Sequence, residues 1–305
     1  MIKRLQRFYA YIAVIGAMFF WGISFVWSKQ LINSGFNVIF IVTVRLAVSF
    51  LLLFTIFKLS KKLKKIARKD IPKFLLLAFF EPFLYFIGEN YGLQYVDASF
   101  AAIFIAIIPV IIPFGLRIFC KEKLKPTIII GVIISVVGIA VMSFNGMMFD
   151  VNLKGILLLS LAVLSAAGYS IMLSKVLTYS PIIITVYQNL IATVYYLPLL
   201  LVNGFTSSSF FEMEWNYGTV FALIMLSVFC SSIAFIGYAY SVKRISVANA
   251  SVFTNTIPVI TIVFAILLGQ EPLSVTKIIG AVIVIFGVFL SQFVLKRKRN
   301  EMKKP

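Results

Sequence analysis

The chain has 305 residues, of which 61% are hydrophobic and only 12% charged, and its mean hydropathy is +1.04. Soluble domains have about 45–50% apolar and about 25% charged residues, so this composition argues against a soluble enzyme or binding module. The net charge is +18, but the Lys and Arg residues lie between long apolar runs and therefore indicate membrane topology rather than nucleic-acid binding. Histidine is absent, and Cys120 and Cys230 have no metal-binding or redox spacing. We therefore expect no cofactor and no metal.

Long apolar runs predict an all-α integral membrane protein. A membrane-spanning helix needs about 20 apolar residues, because the hydrocarbon core is about 30 Å thick and a helix rises about 1.5 Å per residue. Ten runs qualify, and the loops between them leave no room for a separate soluble domain. The predicted spans, numbered 1 to 10, are 9–31, 38–57, 74–93, 98–119, 127–146, 155–176, 182–202, 218–241, 247–268 and 277–295.

The basic residues predict the orientation of these spans. With the N-terminus inside, 24 of the 28 Lys and Arg residues fall in inside segments, and only Lys29, Lys154 and Lys277 fall outside. Cationic loops resist translocation, so both termini are predicted to be cytoplasmic. Residues 296–305 are then a basic cytoplasmic tail. The expected location is the plasma or inner membrane, with the lipid bilayer as the surrounding partner.

The chain contains an internal repeat. Between residues 88–138 and residues 237–287, 16 of 51 positions are identical, and the matches include Pro, Gly, Glu and Thr in the same order. The predicted repeats are 9–146 and 155–295, with five spans each. Because five is odd, the second copy must enter the membrane from the opposite side, which is the inverted-repeat plan of secondary transporters. The expected mechanism is alternating access.

Three charged residues lie well inside predicted spans, away from the span ends: Arg45 in span 2, and Glu81 and Glu89 in span 3. A central arginine costs about 2.5–3.5 kcal/mol on insertion scales, so such charges are functional candidates. In the functional interpretation, Arg45 or a glutamate binds a charged end of the substrate, and Glu89 or Glu81 carries a proton. In the structural alternative, Arg45 forms a static ion pair that holds spans 2 and 3 together.

Prolines and polar side chains complete the set of candidate substrate-binding residues. Pro109 and Pro258 lie near the middle of spans 4 and 9, where transporter sites are often built from interrupted helices; a packing kink is the alternative. A cavity with such a lining would suit a zwitterionic or amphipathic metabolite. The remaining candidates are Trp21, Asn90, Gln188, Asn189, Tyr238, Ser251 and Asn255.

Other motifs are interpreted as structural. Gly88 and Gly92 form a GxxxG pattern that allows a neighbouring helix to approach closely. Glu122 and Glu271 lie just before spans 5 and 10, where an acidic side chain favours the N-terminus of a helix.

The motifs FWGISF at 20–25, IPVI at 108–111 and 257–260, CKEKLKPTIIIG at 120–131 and GQEPLSVTKIIG at 269–280 resemble the EamA family of the drug/metabolite transporter superfamily. The resemblance implies a ten-helix transporter that exports amino acids or other small metabolites.

Two alternatives stay open. A passive facilitator or pore would share the fold without ion coupling, and a membrane-embedded enzyme would need a nucleophile or base among two glutamates and scattered serines. The sequence does not indicate an oligomeric state.

Overall fold

The computed structural model describes residues 2–112, 126–142, 144–145, 148–149, 152–206, 213–272 and 274–301. Within these ranges the chain is helical, apart from loops and a hairpin of two short strands, β1 (Phe144–Asn145) and β2 (Met148–Phe149). We number the helices by their order, and some contain a turn of different pitch. They are α1 (Ile2–Asn33), α2 (Val38–Leu59), α3 (Ile71–Ala78, Phe79–Leu84 and Tyr85–Gly92), α4 (Ala98–Ile105, continuing to Ile112), α5 (Pro126–Met142), α6 (Leu153–Val176), α7 (Pro181–Thr206), α8 (Tyr217–Met225, Leu226–Ile233 and Ala234–Ile245), α9 (Val247–Ser251, Val252–Thr256 and Ile257–Leu267) and α10 (Val275–Glu301).

Seven of the described helices are long and apolar enough to cross a membrane, by length and composition: α1, α2, α3, α6, α7, α8 and α9. Shorter apolar helices lie at Ala98–Ile112, Ile129–Val141 and Val275–Leu290. The chain is therefore a multi-pass membrane protein whose membrane-spanning elements are helices.

The observed ends of several helices differ from the predicted spans. Span 5 was drawn to residue 146, but α5 ends at Met142 and Phe144–Asn145 belongs to a strand, so this boundary is wrong. An uninterrupted apolar run does not reveal where a tight hairpin begins. Residues 113–119, the end of predicted span 4, lie outside the described residues. At the C-terminus, α10 continues to Glu301 through much of the basic tail, because Lys and Arg are good helix formers.

Four helices are interrupted in mid-course, and the interruptions are related by the internal repeat. In α3 the segment Phe79–Leu84 is π-helical; Glu81 has an extended backbone and the Glu81–Pro82 peptide bond is cis. The π-helical segment Leu226–Ile233 of α8 covers the repeat-equivalent positions. In α4 the helix is broken at residues 106–107, and in α9 the turn Val252–Thr256 is a 3₁₀-helix. The breaks in α4 and α9 directly precede Ile108-Pro109 and Ile257-Pro258, as expected for interrupted helices.

Small residues allow close packing of α3 against α6. A Cβ atom added to Gly88 would lie 2.4 Å from the backbone oxygen of Leu158 and 2.7 Å from the backbone nitrogen of Ala162. A Cβ atom on Gly92 would lie 3.1 Å from the Leu159 side chain. The GxxxG pattern therefore serves a helix contact, and this contact holds the carboxyl-terminal half of α3 in place.

We expect Gly88→Ala to destabilise the fold strongly, because the added methyl group meets the backbone of α6 rather than a movable side chain. Overpacking costs about 1–3 kcal/mol, and a backbone clash should reach the upper end of that range or exceed it. Thermal unfolding in detergent measures the effect. Gly16→Ala is the matched control, because nothing lies within 4 Å of a Cβ atom at Gly16. Equal melting temperatures for the two variants would contradict the close contact between α3 and α6.

Candidate functional site

A central cavity lies among α1, α2, α3, α4, α6, α8 and α9. Its volume is about 50 Å³. One water molecule needs about 10–15 Å³, so the cavity has room for only a few waters. Any solute the size of an amino acid must therefore widen it. The charged and aromatic lining consists of Arg45, Glu81, Glu89, Trp21, Phe25, Tyr85, Phe86, Tyr169, Phe235 and Tyr238.

Arg45 is the cation of the cavity and is 1% exposed. Its Nε atom donates a hydrogen bond to Ser231 Oγ at 2.9 Å, and its guanidinium carbon lies 4.2 Å from the centre of the Phe86 ring. Its Nη1 atom is buried and has no hydrogen-bond partner among the described residues. The guanidinium is thus held by α8 and α3, while one of its nitrogens is left free to bind something else.

Glu89 is 2% exposed and lies beside the Tyr85 hydroxyl, one helical turn earlier on α3. Its Oε1 atom is buried and lacks a hydrogen-bond partner in the described part of the chain. Glu89 interacts electrostatically with Arg45, but the two side chains do not form an ion pair within 4.0 Å. The static ion pair considered above is therefore absent from this structure as far as the described residues show.

Glu81 is the second carboxylate of the lining and is 7% exposed. It lies at the break in α3, where the helical backbone opens. Tyr169 and Tyr238 are close enough to interact electrostatically with it. The cavity therefore brings together two carboxylates and one guanidinium within a largely aromatic wall.

Two of the uncharged candidates also line the cavity. The rings of Trp21 and Tyr238 lie 5.1 Å apart, and Trp21 Nε1 donates a hydrogen bond to the backbone oxygen of Cys230 at 3.2 Å. Since Cys230 belongs to the π-helical segment of α8, this bond ties the aromatic wall to that segment.

The other candidates do not line the cavity. Asn90 donates to the backbone oxygen of Phe86 at 3.1 Å, and Asn189 donates to Ser49 Oγ at 2.7 Å and to the backbone oxygen of Ser231 at 2.8 Å. The remaining ones, which the structure places outside the lining of the cavity, are Gln188, Ser251, Asn255, Pro109 and Pro258. Gln188 lies beside Tyr169. The neighbours of the two prolines, Ile108 and Ile257, line the cavity instead.

Sequence reasoning missed most of the aromatic wall. Phe86 and Phe235 are related by the internal repeat, and Tyr85 stands four residues before Glu89 on the same helical face, so both signals were present in the sequence. It also missed two hydroxyl groups that bind backbone oxygens of the π-helical segments. Tyr196 Oη donates to the oxygen of Phe83 at 2.6 Å, and Ser49 Oγ donates to the oxygen of Ser231 at 3.0 Å.

The arrangement of one guanidinium and two carboxylates can bind an ionised solute. Among the described residues, no group of three or more His, Cys, Asp or Glu side chains could hold a metal ion.

Known proteins place this chain in a family. The model of the EamA-like transporter family matches it twice, at residues 8–144 and 153–293. An uncharacterized transporter of Archaeoglobus fulgidus is 25% identical over 89% of this chain and 94% of its own length. The uncharacterized transporter YcxC of Bacillus subtilis is 28% identical over 100% and 99%.

One further relative and one solved structure are also similar to this chain. A probable terminal-alkyne amino-acid exporter of Streptantibioticus cattleyicolor is 24% identical over 76% of this chain and 77% of its own length. A protein known from a crystal structure shares the fold, with a TM-score of 0.64 and 14% identity over 91% of this chain and 98% of that one. Because the family model covers both halves of the sequence, the chain belongs to the EamA-like transporter family, a family of membrane transporters.

Proposed function

We propose that this transporter exports amino acids or similar small zwitterionic metabolites by alternating access through the central cavity. The observation that carries the proposal is a pair of buried, unpartnered groups of opposite charge, Arg45 Nη1 and Glu89 Oε1, that line one cavity. Buried polar atoms almost always have partners, and an unsatisfied one costs about 1–3 kcal/mol. A zwitterion supplies a carboxylate for Arg45 and an ammonium group for Glu89. The exporter among the relatives supports an amino-acid substrate.

We further propose that ten spans form two inverted repeats. Helix contacts support a two-fold relation between the halves: α1 packs against α8, and α6 packs against α3. Repeat-equivalent glycines of α5 and α10 support it as well. A Cβ atom on Gly138 would lie 2.8 Å from the oxygen of Gly280, and one on Gly287 would lie 2.8 Å from the oxygen of Gly131. Reciprocal contacts of this kind are expected of two copies related by a two-fold axis.

The small volume of the cavity supports a carrier over a pore. A pore needs a continuous passage of solute width, whereas a carrier passes through states in which the solute is enclosed. Glu89 and Glu81 line the cavity, so a cavity that opens to each side in turn would let either carboxylate take up a proton on one side of the membrane and release it on the other. We therefore propose protons as the coupling ion. The distribution of basic residues supports cytoplasmic termini and a location in the cell membrane.

Reconstitution in liposomes tests the function. Liposomes that contain the purified protein are loaded with unlabelled amino acids. Uptake of each labelled amino acid is then measured with and without a proton gradient. Counterflow of labelled substrate, with accumulation driven by the gradient, is the expected result. Leak without saturation would indicate a pore, counterflow that ignores the gradient a passive facilitator, and chemical conversion of the solute an enzyme. Each of these outcomes would contradict proton-coupled transport.

A further inference from the structure

A buried carboxylate joins the two sequence halves at the end of the molecule that is predicted to face outwards. Glu271, in the loop between α9 and α10, is 8% exposed. Its Oε1 atom accepts a hydrogen bond from the backbone nitrogen of Ser99 at 3.0 Å. Ser99 lies in the first turn of α4, whose initial backbone N–H groups have no partner within the helix. The second half thus caps a helix of the first half.

Further bonds connect the same segments. Lys277, at the start of α10, forms ion pairs with Asp97 and with Glu271 Oε2, the latter at 3.2 Å. Lys29, near the end of α1, donates to the backbone oxygens of Leu93 at 2.6 Å and Val96 at 3.0 Å. These bonds hold α1, the loop between α3 and α4, and the loop between α9 and α10 together, beyond the outer end of the central cavity.

The side chain that caps α4 is not that of the residue at its N-cap position. Asp97 occupies the N-cap position of α4 with an extended backbone, and Asp is among the residues preferred there because its side chain can accept from the second or third N–H group of the helix. In this structure the Asp97 side chain makes no such bond and binds Lys277 instead. Glu271 takes the N–H group of Ser99, the second residue of α4, which Asp97 could bind itself. Two carboxylates from opposite halves therefore compete for one donor.

From this geometry, and resting on the proposed alternating access, we infer that the cap of α4 is exchanged when the outer side opens. In the closed state Glu271 caps Ser99, and Asp97 pairs with Lys277 across the two halves. In the open state Asp97 accepts the hydrogen bond of Ser99 within the first half, and Glu271 remains paired with Lys277 within the second half. All the charged groups have partners in both states, so the halves can separate without leaving a buried charge or helix end unsatisfied.

The other end of the bundle supports a closed outer side. Ser246 is the repeat equivalent of Asp97 and lies between α8 and α9. It lines a cavity of about 510 Å³ together with Tyr11 and Asn249. The two ends of the molecule therefore differ at these equivalent positions, because Asp97 is paired with Lys277 whereas Ser246 borders an open cavity.

A thiol reporter in the cavity tests the exchange. Ser24 lines the cavity and is 4% exposed, so Ser24→Cys reacts with a membrane-impermeant maleimide on intact cells only when the outer side opens. Labelling of the same chain without the reporter measures the contribution of Cys120 and Cys230, which is subtracted. Inside-out vesicles give the reading from the cytoplasmic side, and gel filtration in detergent checks that each variant is folded.

We expect Glu271→Ala to raise the outside labelling rate by about tenfold or more, because the closed state alone loses a charge-assisted cap, whereas the pair between Glu271 and Lys277 is lost from both states. Glu271→Gln should give a smaller rise, since its amide oxygen can still accept from Ser99. Asp97→Ala should also give a smaller rise, because it weakens the closed-state pair and the open-state cap together. Glu214→Ala, which removes an exposed glutamate on the same side, is the matched control and should have no effect.

Three results would overturn the inference. They are an unchanged rate in Glu271→Ala, a rise seen only in inside-out vesicles, and an Asp97→Ala rate equal to that of Glu271→Ala. If Glu271→Ala is not folded, Glu271→Gln and Lys277→Gln take its place, and wild-type rates in both count equally against the inference. The proposed function has a separate test. Absence of counterflow by the wild-type protein in liposomes would contradict transport, whatever the labelling rates of the variants are.

Discussion

Glu89→Gln is expected to abolish proton-driven accumulation and to weaken substrate binding by about 10- to 100-fold, while leaving the protein folded. Glutamine keeps the shape of the side chain and an oxygen at the position of Oε1, but it can neither carry a proton nor attract an ammonium group. A hydrogen bond to a charged group is worth about 1.5–3 kcal/mol, and each 1.4 kcal/mol is a factor of ten in affinity. Counterflow and gradient-driven uptake in liposomes measure the two effects separately.

The matched control for this change is Glu214→Gln. Glu214 is exposed at the surface, so the substitution removes the same charge without touching the cavity. Transport by the control should equal that of the unmodified protein. Undiminished uptake by Glu89→Gln across the whole pH range would remove Glu89 from the binding and coupling mechanism, and Glu81, the other carboxylate of the lining, would become the remaining candidate.

Arg45→Ala is expected to abolish transport and to lower the melting temperature. The substitution removes the bond to Ser231, the contact with Phe86 and the cation opposite Glu89 in a single step. Loss of a hydrogen bond made by a charged group costs about 1.5–3 kcal/mol, and loss of the contact with Phe86 adds to this. Arg45→Lys should keep the fold better but lose transport by about tenfold, because an ammonium group cannot stack on Phe86 and bond to Ser231 and a carboxylate together.

Lys58 provides the control for Arg45. It lies on the same helix with its ammonium group 5.1 Å from the centre of the Phe54 ring, but it is exposed. Lys58→Ala should therefore change neither transport nor melting temperature. Normal expression and normal flux in Arg45→Ala would show that Arg45 only holds helices together, and would leave the carboxylate of the substrate without a proposed partner.

The helices were predictable from the sequence because each span is a long apolar run bounded by charges or turn residues. The charged members of the site were predictable for a related reason. Arg45, Glu81 and Glu89 are charged residues within apolar spans. Because a charge inside the membrane is costly, such residues are functional candidates. All three line the cavity, as do Trp21 and Tyr238.

The uncharged members were harder to predict, because a helical face can be assigned only when the pitch is constant. The π-helical segments of α3 and α8 add residues to a turn and rotate everything beyond them. The backbone oxygen of Ser231, in one such segment, accepts from Asn189 and Ser49, so Asn189 supports the wall of the cavity and does not line it. Pro109 and Pro258 likewise follow the interruptions in α4 and α9, but their neighbours line the cavity. The sequence alone does not reveal a change of helical pitch.

The size of the cavity has a consequence for the cell as well as for the mechanism. A carrier that spends most of its time idle sits in a membrane across which the cell maintains an electrical potential and a pH difference. The central cavity has room for only a few waters beside Arg45 and the two glutamates, so in the part of the chain that the structure describes this cavity holds too little water for a continuous path of ions. If transport is coupled to protons as proposed, the protein can therefore be abundant without draining the proton gradient.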